Sequence, residues 1–321
     1  LCILSAVNVG KIRSDEELEE LCELSVRGLE ELIDYQDYPV KAAEIATKAR
    51  RSLGIGFIGL AHYLAKLGFK YGDQEAWDAV HGLLSPSNIS LKASNEIAKE
   101  KGHCEYFGRT KYSDGILPVD TYKKDVDEVS SQELQHDWDS LRTSITTHGL
   151  RHSTLSAQMP SESSSVVCNA TNGIEPPRDY LSIKKSKKGP LKQIVPSYAS
   201  LKNNYTLLWD MPDNAGYINI VAVMQKFFDQ AISGNWSYNP EHYPDNEVPV
   251  SVMANDFLTT YKYGWKTSYY QNTHDMKTDE VDEPAHSIGW KDDVPEGASE
   301  LDSLISEISI AEEGECESCA I

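Results

Sequence analysis

At 321 residues and 40% hydrophobic, the chain is long enough to bury a large core, as one big domain or two smaller ones. A net charge of −20 argues against a nucleic-acid backbone as partner, and no apolar run approaches the roughly 18 residues that a membrane-spanning helix needs. Six cysteines are too sparse for a disulfide scaffold and no signal peptide is visible, so a reducing, cytoplasmic setting is expected.

The charge is unevenly placed. Asp275 to Ile321 holds 15 acidic and 2 basic residues, whereas the rest of the chain carries 35 acidic against 28 basic. The expected organisation is therefore a body over 1–274 followed by a flexible, disordered acidic tail over 275–321. The sequence has no initiator Met and opens directly on CILSAV, which reads as a core strand. Such a start is expected of a piece of something longer.

After that strand, Asn8-Val9-Gly10 turns the chain into a helix. Ser14 with Glu17 forms a capping box, and Leu18, Leu21, Cys22, Leu29, Leu32 and Ile33 keep helical spacing up to Asp34. Cys22, inside that stripe, reads as a small buried hydrophobe. A second helix is predicted over Val40 to Arg50. Gly54-Ile55-Gly56-Phe57-Ile58-Gly59 then fits GxGxxG, with Asp73 at ribose-contact distance and a helix over Ala61 to Leu67. A dinucleotide site is nevertheless not expected. The residues before the first glycine are charged and helical in character, so the glycines fall within a strand rather than in the turn after it.

Further helices are predicted over Ile89 to Lys101, Glu133 to Thr147, Tyr198 to Leu208, Tyr217 to Ser233 and Met253 to Lys266. The apolar stripe of the fourth, from Ile218 to Ile232, reads as core. Lys184 to Gly189 is a basic loop of the kind found in a solvated hairpin. His136, His148 and His152 fall in and around a helix without a shared set of carboxylates, so no metal is assigned to them. Strands alternating with helices indicate α/β architecture, with no internal repeat.

The most informative stretch is Leu150 to Pro177. Ser153 to Met159 reads as a short strand closed by Pro160, and Ser161, Glu162, Ser163, Ser164 and Ser165 then open a helix. Free backbone N–H groups and hydroxyls at the carboxyl end of a strand make a cradle for a phosphate; an ordinary Ser-capped helix is the plainer alternative. Asn172-Gly173 and Pro176-Pro177 bend the chain sharply straight afterwards.

Longer motifs run through the same region. Trp138-x-x-Leu141, seven residues, Gly149-Leu150-Arg151-His152, three residues and Ser156-Ala157-x-x-Pro160 resembles the large-subunit signature of ribonucleotide reductase. PSESSS…NATNGIEPPR is similar to the substrate-phosphate loop of the aerobic, class I form. DYQDYP at Asp34 to Pro39, GILPVDTYKKD at Gly115 to Asp125 and YYQNT at Tyr269 to Thr273 agree with it, as does a cysteine pair near the C-terminus.

The resemblance implies the second half of a ten-stranded α/β barrel with a flexible acidic C-terminal tail, acting in the reduction of ribonucleoside diphosphates. Ser161, Glu162, Ser163 and Ser164 would hold the substrate diphosphate. Cys2 matches one member of the redox pair that reduces the sugar, its partner lying upstream in the family; a buried strand cysteine is the plainer reading. Tyr269 and Tyr270 match the stacked pair that relays a radical, against an ordinary strand-end Tyr-Tyr. Cys316 and Cys319 match the tail pair that exchanges electrons with thioredoxin or glutaredoxin, and their CxxC spacing suits a redox disulfide. Cys104 and Cys168 match no redox position.

The family's Asn-x-Cys-x-Glu radical motif is absent from this sequence. An N-terminal part of the large subunit is therefore implied as partner, with the ATP and dNTP effector sites on it. A small subunit containing a metal would supply the radical, so that this chain binds no cofactor of its own. The alternative from another class is a thiol-redox or interaction module that uses only its C-terminal CxxC.

Overall fold

The computed structural model describes residues 2–84, 88–134, 137–186 and 189–275. β1 (Leu4–Asn8) is followed by α1 (Asp15–Tyr35), α2 (Lys41–Arg50), β2 (Gly54–Ile58), α3 (Leu60–Leu67), α4 (Gln74–Leu84), α5 (Asn88–Lys101) and the short α6 (Pro118–Thr121). Then come α7 (Trp138–His148), α8 (Glu162–Val167), β3 (Leu181–Ser186), β4 (Gly189–Ile194), α9 (Tyr198–Leu201), α10 (Ala215–Gln225), β5 (Gly234–Tyr238), α11 (Val250–Tyr263) and β6 (Ser268–Thr273). Apart from Asp275 the acidic tail lies outside the described residues, as do Lys187 and Lys188 of the basic loop, whose flanks form the antiparallel β3–β4 hairpin. No helix of the described residues is long and apolar enough to cross a membrane.

The sheet that organises the fold is parallel. β1 pairs with β2 from Leu4↔Gly54 to Asn8↔Ile58. β2 meets the next segment through Ile55↔Ser156, and that segment meets the lead into β5 through Gln158↔Ile232. β5 then pairs in parallel with β6. Five segments thus lie side by side in the order β1, β2, 155–158, 232–238, β6, with helices in the connections between them. Among the described residues β1 and β6 are each paired on one side only. The sheet is open, and no closed barrel is present in it.

Ser153 to Met159, expected to be a continuous strand, is held by two isolated bridges instead. The cause is Gln158. Its side-chain amide takes both backbone groups of Phe57, accepting from the N–H and donating to the C=O at 2.9 Å each, so the ladder is completed by a side chain. β2 itself is buried throughout, with Gly54 and Gly56 inside the strand. A Cβ on Gly56 would stand 2.5 Å from the Ala157 carbonyl oxygen, so the glycine is there to let two backbones approach. Gly59, at φ +79°, turns the chain into α3. The glycine motif is a strand-packing device, as its placement in the sequence predicts.

α1 starts where expected, with Ser14 Oγ accepting from the Glu17 N–H. Glu17 accepts from the Arg13 N–H rather than from Ser14, which displaces the reciprocal half of the box by one residue. Leu18, Cys22, Val26, Leu29 and Ile33 are buried, but Leu21 and Leu32 of the predicted stripe are exposed, because they flank the narrower i, i+4 line.

Several predicted helices are shorter than their periodicity implied. α7 begins only at Trp138, capped by Asp137. α9 stops at Leu201 and continues as a 3-10 turn through the two asparagines 203 and 204. α10 is buried on nearly every side, with Asn219 half-buried and Ala215 exposed, yet it ends at Gln225. Gln225 Nε2 there donates to the carbonyls of Phe228 and Gln230, and the Asp229 carboxylate is drawn to the N–H groups of Leu155 and Ser156. That turn leaves Ile232 free to join the sheet. α11 ends at Gly264, which takes φ +83°.

Candidate functional site

The central segment, 155–158, ends at Met159 and Pro160, and the chain turns at once into α8. Ser161, expected to cap this helix, does not. It is buried, and its hydroxyl donates backwards to the Met159 carbonyl at 3.2 Å. Ser164 Oγ donates to the Ser161 carbonyl at 3.2 Å, and the Ser165 N–H to the same oxygen at 2.9 Å. Helical bonding therefore starts at Ser165, and the first-turn N–H groups of Ser163 and Ser164 have no intrahelical acceptor. These groups lie at the positive end of the helix, beside the exposed side chains of Glu162, Ser163 and Ser164. The turn after α8 is stitched to the β2–α3 turn, since Gly59 N–H donates to Thr171 and Leu60 N–H to Gly173. A cavity of about 400 Å³ opens between α8, residues 170–180 and the β3–β4 hairpin, with Glu162, Ser165 and Arg178 on its walls. Nearby, burial raises the pKa of Glu175, whose carboxylate accepts from Asn235 Nδ2 at 2.6 Å.

Asn235 also accepts from the Tyr270 N–H, at 2.9 Å, and this contact shapes the tyrosine pair. Adjacent residues of a regular strand point to opposite faces. Between the pairs Gly234↔Ser268 and Trp236↔Gln271, however, β6 has one residue more than β5, a bulge at Tyr269-Tyr270. The two rings consequently meet, with centroids 4.1 Å apart, planes tilted by 47° and hydroxyl oxygens 3.3 Å apart. Both rings are exposed on the outer strand of the array. Cys2 lies just before β1, which starts at Leu4 rather than at the cysteine. Its thiol is free and exposed, against the plainer reading of a buried strand residue. Cys22 and Cys104 are buried, and Cys168 is exposed at the end of α8. Cys316 and Cys319 lie outside the described residues.

The residues Gly149-Leu150-Arg151-His152 serve the interior. Glu30 of α1, 1% exposed, accepts from Arg51 Nε and Arg151 Nε at 2.7 Å and from His152 Nε2 at 3.0 Å. Ser94 lies 2.8 Å from the other ring nitrogen of His152. Burial alone would raise the Glu30 pKa, but the hydrogen bonds from His152, Arg51 and Arg151 outweigh it and hold the carboxylate down at about 2. Burial lowers the pKa of His152, so the neutral ring donates through Nε2. The signature serine is anchored as firmly, with Ser156 N–H and Oγ both 3.0 Å from Asp229 Oδ1.

Glu30 and Asp229 escape a reading of motifs. The only signal is an acidic residue beside the apolar line Val26, Leu29 and Ile33, and another at the end of the apolar run of α10. Among the described residues no three His, Cys, Asp or Glu groups gather as a metal site; His136 lies outside them.

The family model described as ribonucleotide reductase, barrel domain, matches residues 1–271. The chain is similar to the ribonucleoside-diphosphate reductase subunit alpha of Haemophilus influenzae, with 57% identity over 280 residues covering 87% of this chain and 37% of that protein. It is similar to the ribonucleoside-diphosphate reductase 1 subunit alpha of Escherichia coli at 54% over 257 residues, 80% of this chain and 34% of that one. The subunit alpha of Enterobacteria phage T4 is 42% identical over 280 residues, 86% and 37% of the two chains. The chain thus spans little more than a third of the length of these relatives. With a barrel-domain match over nearly its whole described length, the chain belongs to the ribonucleotide reductase family, within the region of the alpha subunit's barrel domain.

Proposed function

We propose that this chain is the C-terminal part of a class I ribonucleoside-diphosphate reductase large subunit and supplies the second half of its ten-stranded barrel. The observation that carries the reading is the placement of the Ser161–Ser164 turn at the carboxyl end of the central one of five parallel segments, where α/β sheets bind ligands. The substrate diphosphate sits on the first-turn N–H groups and the hydroxyls of Ser163 and Ser164, the latter turning from the Ser161 carbonyl to the phosphate. Ser161, turned back to Met159, shapes the loop.

Replacing the sugar 2′-hydroxyl by hydrogen takes two electrons and releases water. Two thiols supply the electrons, each giving up its hydrogen as their sulfurs join in a disulfide. Cys2 is one of them, and the other lies on an N-terminal part. Tyr269 and Tyr270 relay a radical from a small subunit, which holds the metal that generates it; ring contact suits a transfer that falls steeply with distance. Cys316 and Cys319 then reduce the disulfide and are themselves reset by thioredoxin or glutaredoxin.

Reconstitution tests the reading. The purified chain, combined with an N-terminal part carrying the Asn-x-Cys-x-Glu motif and with the small subunit, should convert ribonucleoside diphosphates to deoxyribonucleoside diphosphates. Each component omitted should abolish turnover. Turnover without this chain would end the proposal.

A further inference from the structure

At the other end of the parallel array, the residues that lead into the strands frame an open cleft of about 920 Å³. Ser52 precedes β2, Ser153 precedes the central segment, Asp229 precedes Ile232 and Lys266 precedes β6. Since all segments run the same way, this mouth lies at their amino ends and the α8 turn at their carboxyl ends.

In a chain of net charge −20, the cleft is lined by five cations, Arg50, Arg109, Lys111, Lys123 and Lys266, and by one carboxylate, Asp229. Asp229 does not neutralise them. It is half-buried, and its oxygens already accept from Tyr112 Oη and Leu155 N–H at 2.8 Å and from Ser156 N–H and Oγ at 3.0 Å. Lys266 is spent on the carbonyls of Phe228 and Asp229. Among the described residues, Arg50, Arg109, Lys111 and Lys123 have no carboxylate partner. Arg50 and Arg109 lie 5.0 and 4.5 Å from the centroid of the Tyr106 ring, and Lys123 lies 4.3 Å from that of Tyr261. Elsewhere many cations of this chain are ion-paired, as Arg27, Lys92, Lys101 and Arg142 are.

We propose that this cleft binds a compact polyanion carrying two or more phosphate groups. Unpaired guanidinium forks and ammonium groups around one volume match phosphate oxygens, and the Ser52 and Ser153 hydroxyls, 2.8 Å apart, leave one neutral donor beside them. The rings of Tyr106 and Tyr261 already carry cations, so the recognised part is the phosphate chain rather than a base. Free polyphosphate and the phosphate tail of a nucleotide share this chemistry.

The test titrates the full chain with tripolyphosphate by calorimetry, in a Ser163→Ala/Ser164→Ala background that removes the hydroxyl contribution of the α8 turn. Expected is saturable binding that weakens at least tenfold in Arg109→Gln/Lys111→Gln, whose exposed side chains can be changed without loss of the thermal melt. A parallel titration with adenosine triphosphate separates the sources: equal affinity assigns the site to free polyphosphate, and tighter binding to a nucleotide tail. No binding, or an equal loss from Lys92→Gln/Lys99→Gln on another face, would overturn the proposal.

Discussion

Glu30 and His152, 122 residues apart in the chain, meet in the interior with His152 Nε2 3.0 Å from Glu30 Oε2, and two arginines close around the same carboxylate. Removing one member of a buried charge set strands the others, which costs about 3–5 kcal/mol. Glu30→Gln should lower the unfolding free energy by that amount in urea melts. The pH dependence has a definite sign. The folded pKa of about 2 lies below the ordinary 4.5, so the stabilisation is complete above 4.5 and is lost as pH falls from there towards 2. The Gln variant should lack that acid limb; an unchanged limb would mean that other carboxylates set it.

Gly56→Ala places a methyl group 2.5 Å from the Ala157 carbonyl oxygen, inside the pairing of β2 with the central segment. Overpacking of this kind costs about 1–3 kcal/mol. A drop in melting temperature without any change in nucleotide affinity is expected. A selective loss of nucleotide binding would restore the dinucleotide reading of the glycine motif.

Ser163→Ala/Ser164→Ala should act on substrate binding. Each hydrogen bond to a charged group is worth about 1.5–3 kcal/mol, so the KM for the diphosphate in the assembled enzyme should rise about 10²- to 10⁴-fold. Steady-state kinetics decide it, and an unaltered KM would leave α8 as an ordinary helix start.

Tyr269→Phe or Tyr270→Phe keeps the ring and removes the hydroxyl. The fold and substrate binding should survive while turnover in the assembled enzyme disappears. An active Phe variant would make the bulged pair a packing feature.

Cys316→Ser and Cys319→Ser are expected to block turnover with a protein dithiol reductant and to spare it with a small dithiol that reaches the active site unaided. The two reductants are compared on the same assembled variant. Normal turnover of both variants with the protein reductant would withdraw the shuttle role.

Local chemistry was enough to place much of this protein. Ser14 as a cap, the glycines of β2 as strand residues and the Ser-rich turn after a short extended segment all follow from residues close in sequence, where dihedral preference and periodicity act. What needed the tertiary structure depends on partners more than fifty residues away. Gln158 completes the ladder at Phe57, Asp229 ends α10 by reaching Leu155 and Ser156, and Arg151 and His152 become a core ion network only when Glu30 arrives. The bulge that brings the Tyr269 and Tyr270 rings into contact is a matter of register between β5 and β6. Nothing in one strand alone determines how it pairs with the next, because register is a property of both.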